Sequence, residues 1–211
     1  MGYSALDRTR YQQERRWDFS TPSASGETPT APSPSVPRRP DPGDPGRFQV
    51  VPAAYVFLRR TGTVGGRAGA GAAGDQGDVL LLLREGTGYL DGHWAGVAGH
   101  VEADESCIDA AVRETREEVG VEIRAEDLEP VCAMHRTHGN HEWIDERADF
   151  FFQTWTWSGE PTLREPAKAA ALRWWPLQGL PRPTVPHEAL VLGRLLGGRV
   201  PAILTFGFDG A

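Results

Sequence analysis

Cysteine and long apolar runs are both scarce in this chain of 211 residues. Only Cys107 and Cys132 are present, too few for an extracellular scaffold built on disulfides, so we expect a protein of the reducing cytoplasm. The longest dense apolar run, Val79 to Leu83, is far shorter than the roughly 20 residues that cross a bilayer. The amino terminus also lacks the apolar core of a secretory signal. The sequence therefore predicts a cytoplasmic protein with no membrane partner.

Positive charge is in deficit as well. Lys and Arg together number 22 against 29 Asp and Glu, which gives a formal net charge of −7. Proteins that bind duplex nucleic acid normally present a basic face, so we expect no duplex partner. With 39% hydrophobic residues, a chain of this length can bury one sizeable core and hardly two.

The composition changes sharply near residue 46. Residues 1–46 hold eight of the seventeen prolines among Ser, Thr and Gly, and predict a disordered tail. A docking segment for a partner that recognises extended proline-rich chains is the alternative. Residues 47–211 are predicted to form one folded domain, with residues 61–78 as a flexible Gly/Ala-rich loop. Three glycines of that loop match G-x-G-x-x-G, but a strand follows them instead of a helix, so we expect no dinucleotide site. They are Gly69, Gly71 and Gly74.

The most specific pattern in the chain covers residues 99–121 and reads G-x5-E-x7-R-E-x-x-E-E-x-G followed by an apolar residue. Ser106 and Asp109 form a helix N-cap signal, and Gly120 stands where a left-handed C-terminal residue is wanted. Apolar residues between them recur at helical spacing and predict one buried stripe. The stripe consists of Ile108, Ala111, Val112, Thr115 and Val119.

Three glutamates of this predicted helix fall on one flank. Glu114, Glu117 and Glu118 are related by i, i+3 and i+4, and like charges at such spacings repel by about 0.2–0.5 kcal/mol per pair. Clustered hard oxygen ligands suit Mg²⁺ or Mn²⁺, which also contact substrate phosphates. A solvated acidic face is the alternative, but it does not explain the fixed positions of Glu105, Arg113 and the two flanking glycines. We therefore expect a divalent-metal site.

These residues resemble the signature box of the Nudix hydrolases, which cleave a nucleoside diphosphate linked to a further group. The resemblance implies that Glu114, Glu117 and Glu118 hold the metal, with help from the backbone carbonyl of Ala98. It also implies that Arg113 and Glu105 pair to hold the preceding loop against the helix. One departure is Thr115, where family members usually carry a bulky aliphatic residue. Another is Ala98, where many carry a glycine before Gly99.

Two carboxylates outside the helix are further candidates. In several family members a glutamate in a later loop completes the metal site or acts as general base, and Glu165 holds the corresponding place. The alternative is an ordinary surface carboxylate. Glu102 is a second candidate of the same kind. From the resemblance, the catalytic set is expected to contain Glu117, Glu114, Glu165, Arg113 and Glu105.

The segment after the next predicted strand is rich in histidine and could contact substrate. His135, Arg136 and His138 could reach a phosphate or a base edge, although an ordinary polar loop would look the same. A zinc site is an alternative, but no cysteine pair accompanies the histidines. Trp94 could stack on a base or pack beneath the loop.

The remaining pattern alternates strands with two helices and favours an α/β fold with a mixed sheet covered by helices on both faces. That is the Nudix-type α/β/α sandwich that the resemblance implies. A final edge strand is expected within residues 199–208. The predicted strands cover residues 48–60, 79–84, 131–135, 147–157 and 172–175, and the second helix covers residues 186–196.

The expected function is Mg²⁺- or Mn²⁺-dependent hydrolysis of a diphosphate bond in a small-molecule nucleotide or nucleotide derivative, with water attacking phosphorus. Family members often dimerise, so a homodimer is part of this expectation. One alternative is a Nudix module that senses a nucleotide without cleaving it. Another is a Nudix-fold isoprenoid diphosphate isomerase, which would need a cysteine and glutamate acid–base pair. The position of Cys107 inside the helix argues against the second alternative.

Overall fold

The computed structural model describes residues 49–61, 63–64, 67–68, 76–138 and 145–208. The predicted tail, residues 1–46, and the three glycines of the G-x-G-x-x-G match lie outside these residues. Within the Gly/Ala-rich segment, Thr63–Val64 (β2) and Arg67–Ala68 (β3) pair as a short antiparallel hairpin.

Eight further strands form one mixed sheet, in the order β10-β7-β8-β1-β4-β5, with β6 paired to β1 and β9 paired to β4. The long strand β1 pairs in parallel with β8 and antiparallel with β6. The strands are β1 (Val51–Arg60), β4 (Asp78–Arg84), β5 (Trp94–Ala95), β6 (Val97–His100), β7 (Glu129–Arg136), β8 (Arg147–Thr154), β9 (Ala169–Pro176) and β10 (Ile203–Phe206).

Successive side chains of β1 supply two separate cores because strand residues point alternately to opposite faces. Tyr55 and Phe57 belong to the core on one face, whereas Val56 and Leu58 belong to the core on the other. All four side chains are buried. The sheet is therefore covered on both faces, as a three-layer architecture requires.

The first helix, Cys107–Val119 (α1), covers the face that carries Val56 and Leu58. Ser106 accepts a hydrogen bond from the backbone N–H of Asp109, and the Asp109 carboxylate accepts one from the backbone N–H of Ser106. This reciprocal cap was predicted from the sequence. Gly120 ends the helix with φ of 70°, a left-handed angle that glycine adopts without steric cost.

The buried stripe of α1 differs from the predicted one because Ile108 is exposed, Val112 is only half-buried and Ala110 is buried. Ile108 is 39% exposed, and Ala110 is fully buried beside Ala111, Thr115 and Val119. The Thr115 hydroxyl donates to the carbonyl of Ala111 at 2.7 Å, which satisfies its polar atom inside the core.

The second helix, Pro186–Leu196 (α2), covers the opposite face of the sheet through Val191 and Leu192. Proline stands at its first turn, where a missing N–H has no cost. Its first turn also carries two buried polar side chains, His187 and Glu188, which the apolar pattern did not indicate.

The predicted α/β/α sandwich with a mixed sheet is thus confirmed, and most element boundaries agree within a few residues. The predicted strand over residues 147–157 is too long because β8 ends at Thr154. The predicted edge strand forms as β10, which pairs in parallel with β7. Two short strands, β5 and β6, were not predicted. No helix in the described part of the chain is long and apolar enough to span a membrane.

Candidate active site

A cavity of about 600 Å³ opens between the carboxyl end of β4, the amino-terminal half of β1 and helix α1. Its lining combines carboxylates, cationic side chains, tyrosines and several apolar residues. The lining acids are Glu102, Glu114, Glu118, Asp145, Glu165 and Glu188, and the lining bases are Arg84, His100, Arg136, Arg147, Lys168 and His187.

Glu114 lies against the backbone of Gly99, at the start of the sequence box. A Cβ at residue 99 would overlap the carboxyl group of Glu114, so a residue without a side chain is required for this approach. Burial raises the pKa of Glu114, although Arg113 opposes that shift. Helix α1 and strand β6 are therefore packed closely enough for the carboxylate to reach the cavity.

Glu118 stands one turn further along α1 and also lines the cavity. One of its oxygens accepts a hydrogen bond from the backbone N–H of Ala98 at 3.2 Å. Burial, followed by the negative charges of Glu114 and Glu165, raises the pKa of Glu118 to about 8. A carboxyl group in this environment gains most from a nearby cation.

Arg113 connects the loop before the helix to the helix itself through five hydrogen bonds. Its guanidinium forms a two-nitrogen contact with Glu105, at 2.7 and 3.1 Å, as the family resemblance implied. It also donates to Glu114 at 2.6 Å, to Glu117 at 3.1 Å and to the carbonyl of His100 at 3.0 Å. The loop after β6 is therefore fastened to α1 by one side chain.

Glu165 lines the same cavity from the loop before β9. Its Oε1 accepts a hydrogen bond from Lys168 at 2.8 Å, and this bond raises the pKa of the lysine. Among the described residues, no three His, Cys, Asp or Glu side chains are already gathered as metal ligands. Glu114 and Glu165 are instead held by cationic side chains at their oxygens.

The residues nevertheless fit a hard divalent cation. Three carboxylates of the lining, Glu114, Glu118 and Glu165, provide the oxygen donors that Mg²⁺ and Mn²⁺ prefer. The missing side chain at Gly99 leaves room for Glu114, and the raised pKa of Glu118 indicates a carboxyl group that lacks a full counter-charge.

A series of polar contacts links β8 to α2 through side chains that include lining residues of the cavity. Arg136 donates to Asp149 at 2.7 Å and to the Tyr55 hydroxyl at 3.5 Å. Because arginine can only donate, the Tyr55 proton is free to reach His187 Nε2, 3.3 Å away. Burial, followed by the charges of Arg136 and Arg147, lowers the pKa of His187 to about 2, so this imidazole is neutral.

Glu188 follows His187 and lines the same end of the cavity. Its Oε2 accepts a hydrogen bond from the backbone N–H of Gly96 at 2.6 Å. The side chain is buried, and that burial raises the pKa of Glu188 to about 8. At neutral pH the cavity is therefore lined by the neutral imidazole of His187 and the largely protonated carboxyl group of Glu188.

Several residues predicted to act here lie elsewhere. Glu117 is on the α1 surface and does not line the cavity, although Arg113 contacts it. Trp94 is buried in the core with its ring 5.1 Å from that of Trp175. The ring of His135 packs 4.7 Å from that of Phe208 and away from the lining. His141, the third histidine of that segment, is outside the described residues.

Other lining residues carried no signal in the sequence. Arg84 and Tyr89 belong to the end of β4 and the following loop, and Arg147 begins β8. Tyr55 and His187 are 132 residues apart in the chain. The folded arrangement of strands, a loop and helix α2 brings these side chains together.

The fold and the carboxylates of this cavity can be compared with known protein families. The NUDIX domain model matches residues 66–195. The chain therefore belongs to the Nudix family. Comparison with curated proteins gave no match.

Similar solved structures come from several bacteria. A MutT NUDIX hydrolase from Burkholderia pseudomallei is 24% identical, over 66% of this chain and 96% of that one, with a TM-score of 0.49. A mutator MutT protein from Bacillus halodurans is 19% identical, over 70% and 82%, with a TM-score of 0.50. The NUDIX domain of Shewanella oneidensis NrtR, complexed with ADP ribose, is 17% identical, over 69% and 87%, with a TM-score of 0.50. At such identities the likeness concerns the fold alone.

Proposed function

We propose that this protein hydrolyses a diphosphate bond in a nucleotide or nucleotide derivative, using Mg²⁺ or Mn²⁺. Membership of the Nudix family supports this proposal. The observation that carries it is the convergence of Glu114, Glu118 and Glu165 on one cavity that also presents arginines. The metal ligands would be these three carboxylates with the backbone carbonyl of Ala98, and Glu117 would join them by rotating away from Arg113.

Glu114, Glu118 and Glu165 would hold the divalent ion, which when bound would supply charge neutralisation and a more acidic water. The side chains have complementary tasks. Glu165 or Glu114 would accept a proton from the attacking water, because each lies on the cavity wall within reach of the other carboxylates. Arg113 and Glu105 would keep the loop and the helix in register, so that the ligand oxygens stay in place.

The arginines that line the cavity would hold the negatively charged substrate. Arg84, Arg136 and Arg147 line the cavity and offer donors that match phosphate oxygens. Lys168, which pairs with Glu165 here, could transfer its contact to a phosphate when a metal takes the carboxylate. An acidic protein could thus bind an anionic ligand.

Two other functions of this fold are distinguished by the same site. A sensing module would bind a nucleotide without cleaving it. An isoprenoid diphosphate isomerase would need a cysteine at the cavity, yet Cys107 is at the start of α1 and Cys132 is buried in the core, and neither is a lining residue. The carboxylate set favours hydrolysis over both.

The test is a panel of nucleoside triphosphates, ADP-ribose, nucleotide sugars and dinucleotides, incubated with Mg²⁺ while phosphate and pyrophosphate release are measured. We expect release from at least one compound class, and a loss of about 10²-fold or more in E118Q. E122Q removes an exposed glutamate just after the helix and should retain full activity. Binding without release would identify a sensor, and equal activity of E118Q and E122Q would disprove the assigned metal site.

We also propose that the protein acts in the cytoplasm on a small-molecule substrate, as the low cysteine content favours. A homodimer remains part of the proposal. Light scattering across a concentration series would measure the mass directly, and a monomer at all concentrations would remove that part.

A further inference from the structure

Lys168 is the only lysine of the chain, since the other 21 of its 22 Lys and Arg residues are arginines. It stands in the turn directly before β9 and lines the cavity. Lysine carries its charge as a compact ammonium on a flexible stem, whereas arginine presents a rigid fork that grips a carboxylate with two bonds. The kind of cation that is more easily released is therefore placed at this one position.

The backbone of Lys168 is fixed, whereas its side chain is not. The backbone N–H donates to the carbonyl of Glu165 at 2.9 Å, and the carbonyl of Lys168 accepts from the N–H of Glu85 at 2.9 Å. The ammonium donates to Oε1 of Glu165 at 2.8 Å, but the side chain is 62% exposed. The ammonium can therefore leave Glu165 by rotation about side-chain bonds alone.

The Lys168 ammonium senses all three carboxylates that we assign to the metal. Its hydrogen bond with Glu165 raises the pKa of Lys168, burial opposes that shift, and the charges of Glu165, Glu118 and Glu114 raise the pKa further. In return, the charge of Lys168 is one of those that lower the pKa of Glu114. The ammonium thus supplies positive charge to the carboxylate set.

Arg113 also contacts a proposed metal ligand, but it is held differently. Two of its hydrogen bonds go to Glu105, which does not line the cavity, and its side chain is only 19% exposed. Arg113 therefore keeps its place when Glu114 changes partner. A positive charge in contact with a ligand oxygen opposes the binding of a second cation there. Of these two cations, Lys168 is the one that can yield.

We propose that the Lys168 ammonium is an internal cation: it occupies Glu165 in the metal-free protein, leaves this carboxylate when a divalent ion binds, and then contacts a phosphate oxygen of the substrate. This inference rests on the proposed function, because it uses the metal ligands assigned there. Binding of the metal and binding of the phosphate are then coupled, since both require the same movement of one side chain, and the coupling is reciprocal.

The first test measures metal affinity without any nucleotide, by calorimetric titration with Mn²⁺. K168Q removes the competing charge and should bind Mn²⁺ about tenfold more tightly than the wild type. K168R keeps the charge and grips Glu165 with a fork, so it should bind Mn²⁺ no more tightly than the wild type.

The matched control is R164Q, which removes a positive charge from the same loop. Arg164 is exposed and does not line the cavity, so its charge is screened by salt and the affinity for Mn²⁺ should change by less than about twofold. Equal affinities of K168Q and the wild type would overturn the inference. An equal gain in K168Q and R164Q would do the same, because the effect would then come from net charge.

The second test observes the lysine itself. Because the chain has one lysine, protein grown with lysine labelled with ¹³C at Cε gives a single lysine resonance. Saturating Mg²⁺ should move this resonance towards its position in metal-free E165A, in which the ammonium has lost its carboxylate partner. A resonance that stays in place while calorimetry shows bound Mg²⁺ would overturn the inference.

The third test examines the coupling with methylenediphosphonate, a diphosphate analogue that water does not cleave. Saturation with this probe should tighten Mn²⁺ binding in every variant, but the gain should be about tenfold larger in the wild type than in K168Q. Equal gains would show that the released ammonium does not contact the phosphate analogue, and would overturn that part of the inference.

The outcomes separate this inference from the proposed function. If the three tests gave the expected results but no compound of the panel were cleaved with Mg²⁺, the proposed hydrolysis would fail and the role of Lys168 would stand. If a compound were cleaved while K168Q bound Mn²⁺ as the wild type does, hydrolysis would stand and the role of Lys168 would fail. Thermal melting of each variant with EDTA present confirms that it is folded.

Discussion

The carboxyl group of Glu114 occupies the space in which a side chain of Gly99 would stand. Glycine is required at position 99 because the Glu114 carboxyl group fills the space of a side chain. The backbone angles of Gly99 do not themselves require glycine. The contact joins strand β6 to helix α1 at the proposed metal site.

G99A should therefore expel Glu114 from its position while leaving the fold intact. We expect catalytic efficiency to fall about 10²-fold, since a displaced ligand costs more than a weakened surface contact. Steady-state kinetics with Mg²⁺ and metal titration would measure the loss. G193A is the control, because a methyl group there meets nothing within 4 Å and should stabilise α2 by about 0.5–1 kcal/mol. An active G99A enzyme would contradict the assigned role of Glu114.

Glu117 and Glu118 should differ sharply although they are neighbours in the box. Glu118 lines the cavity, whereas Glu117 is on the surface and pairs with Arg113. We expect E118Q to abolish most metal uptake and E117Q to weaken it less, by about tenfold, because Glu117 must first leave Arg113 to reach the ion. Calorimetric titration with Mn²⁺ would compare the two variants. Equal losses would show that Glu117 rotates fully into the site.

Arg113 should contribute to stability as well as to activity. Its guanidinium contacts Glu105, Glu114 and Glu117, all on or beside α1. R113A leaves these carboxylates close together without a counter-charge, and should lower the free energy of unfolding by about 1–3 kcal/mol. R116A, one turn along on the exposed face, should stay within about 0.5 kcal/mol. Urea unfolding of both variants measures the difference, and equal values would remove the structural role of Arg113.

Glu188 should make stability depend on pH. Burial raises its pKa from 4.5 in the unfolded chain to about 8, so the folded state binds the proton more tightly. The stabilisation is complete below about pH 4.5 and is lost as the pH rises towards 8, at about 1.4 kcal/mol per pH unit. E188Q mimics the protonated form and should remove this slope. The difference between wild type and E188Q in thermal melts from pH 5 to 8 isolates Glu188, and parallel curves would contradict its raised pKa.

Thr115 occupies a slot where an aliphatic residue is usual, yet its environment explains it. The side chain is fully buried, and its hydroxyl is satisfied by the carbonyl of Ala111. T115V keeps the shape and removes a hydroxyl whose partner also belongs to the helix ladder. We expect a change within about 1 kcal/mol and unchanged kinetics, measured by urea unfolding and initial rates. A loss of activity would mean that the hydroxyl positions the neighbouring glutamates.

Local signals predicted helix α1 with its caps because Ser106, Asp109 and Gly120 act on adjacent backbone groups. The alternation of strands and helices along the sequence also predicted the three-layer fold. Strands β5 and β6 escaped prediction because each is short and is defined only by pairing with distant partners, such as Tyr55 opposite Ala98. Ile108 was placed in the core because helical spacing alone does not distinguish the two flanks of an apolar stripe.

In the candidate site too, residues close together in the sequence could be predicted, whereas contacts between distant residues could not. Its carboxylate wall could be predicted because Glu114 and Glu118 share one short segment, and the Arg113–Glu105 pair followed from the family resemblance. The contacts among Tyr55, Arg136 and His187 could not be predicted, since these residues come from two strands and a helix that meet only in the folded protein. Trp94 illustrates the reverse case, because an aromatic residue beside the box looks the same in a sequence whether it stacks on a ligand or fills the core.

The alternation along β1 has a consequence for how this protein can change in evolution. Deleting one residue in the middle of β1 would turn Tyr55 away from the cavity and into the layer beneath α1. The side chains of the two cores on opposite faces of the sheet would then be exchanged. Length variation should therefore be forbidden within β1. It should be free in the hairpin β2–β3 that follows, since no lining residue in the described part of the chain comes from residues 61–77.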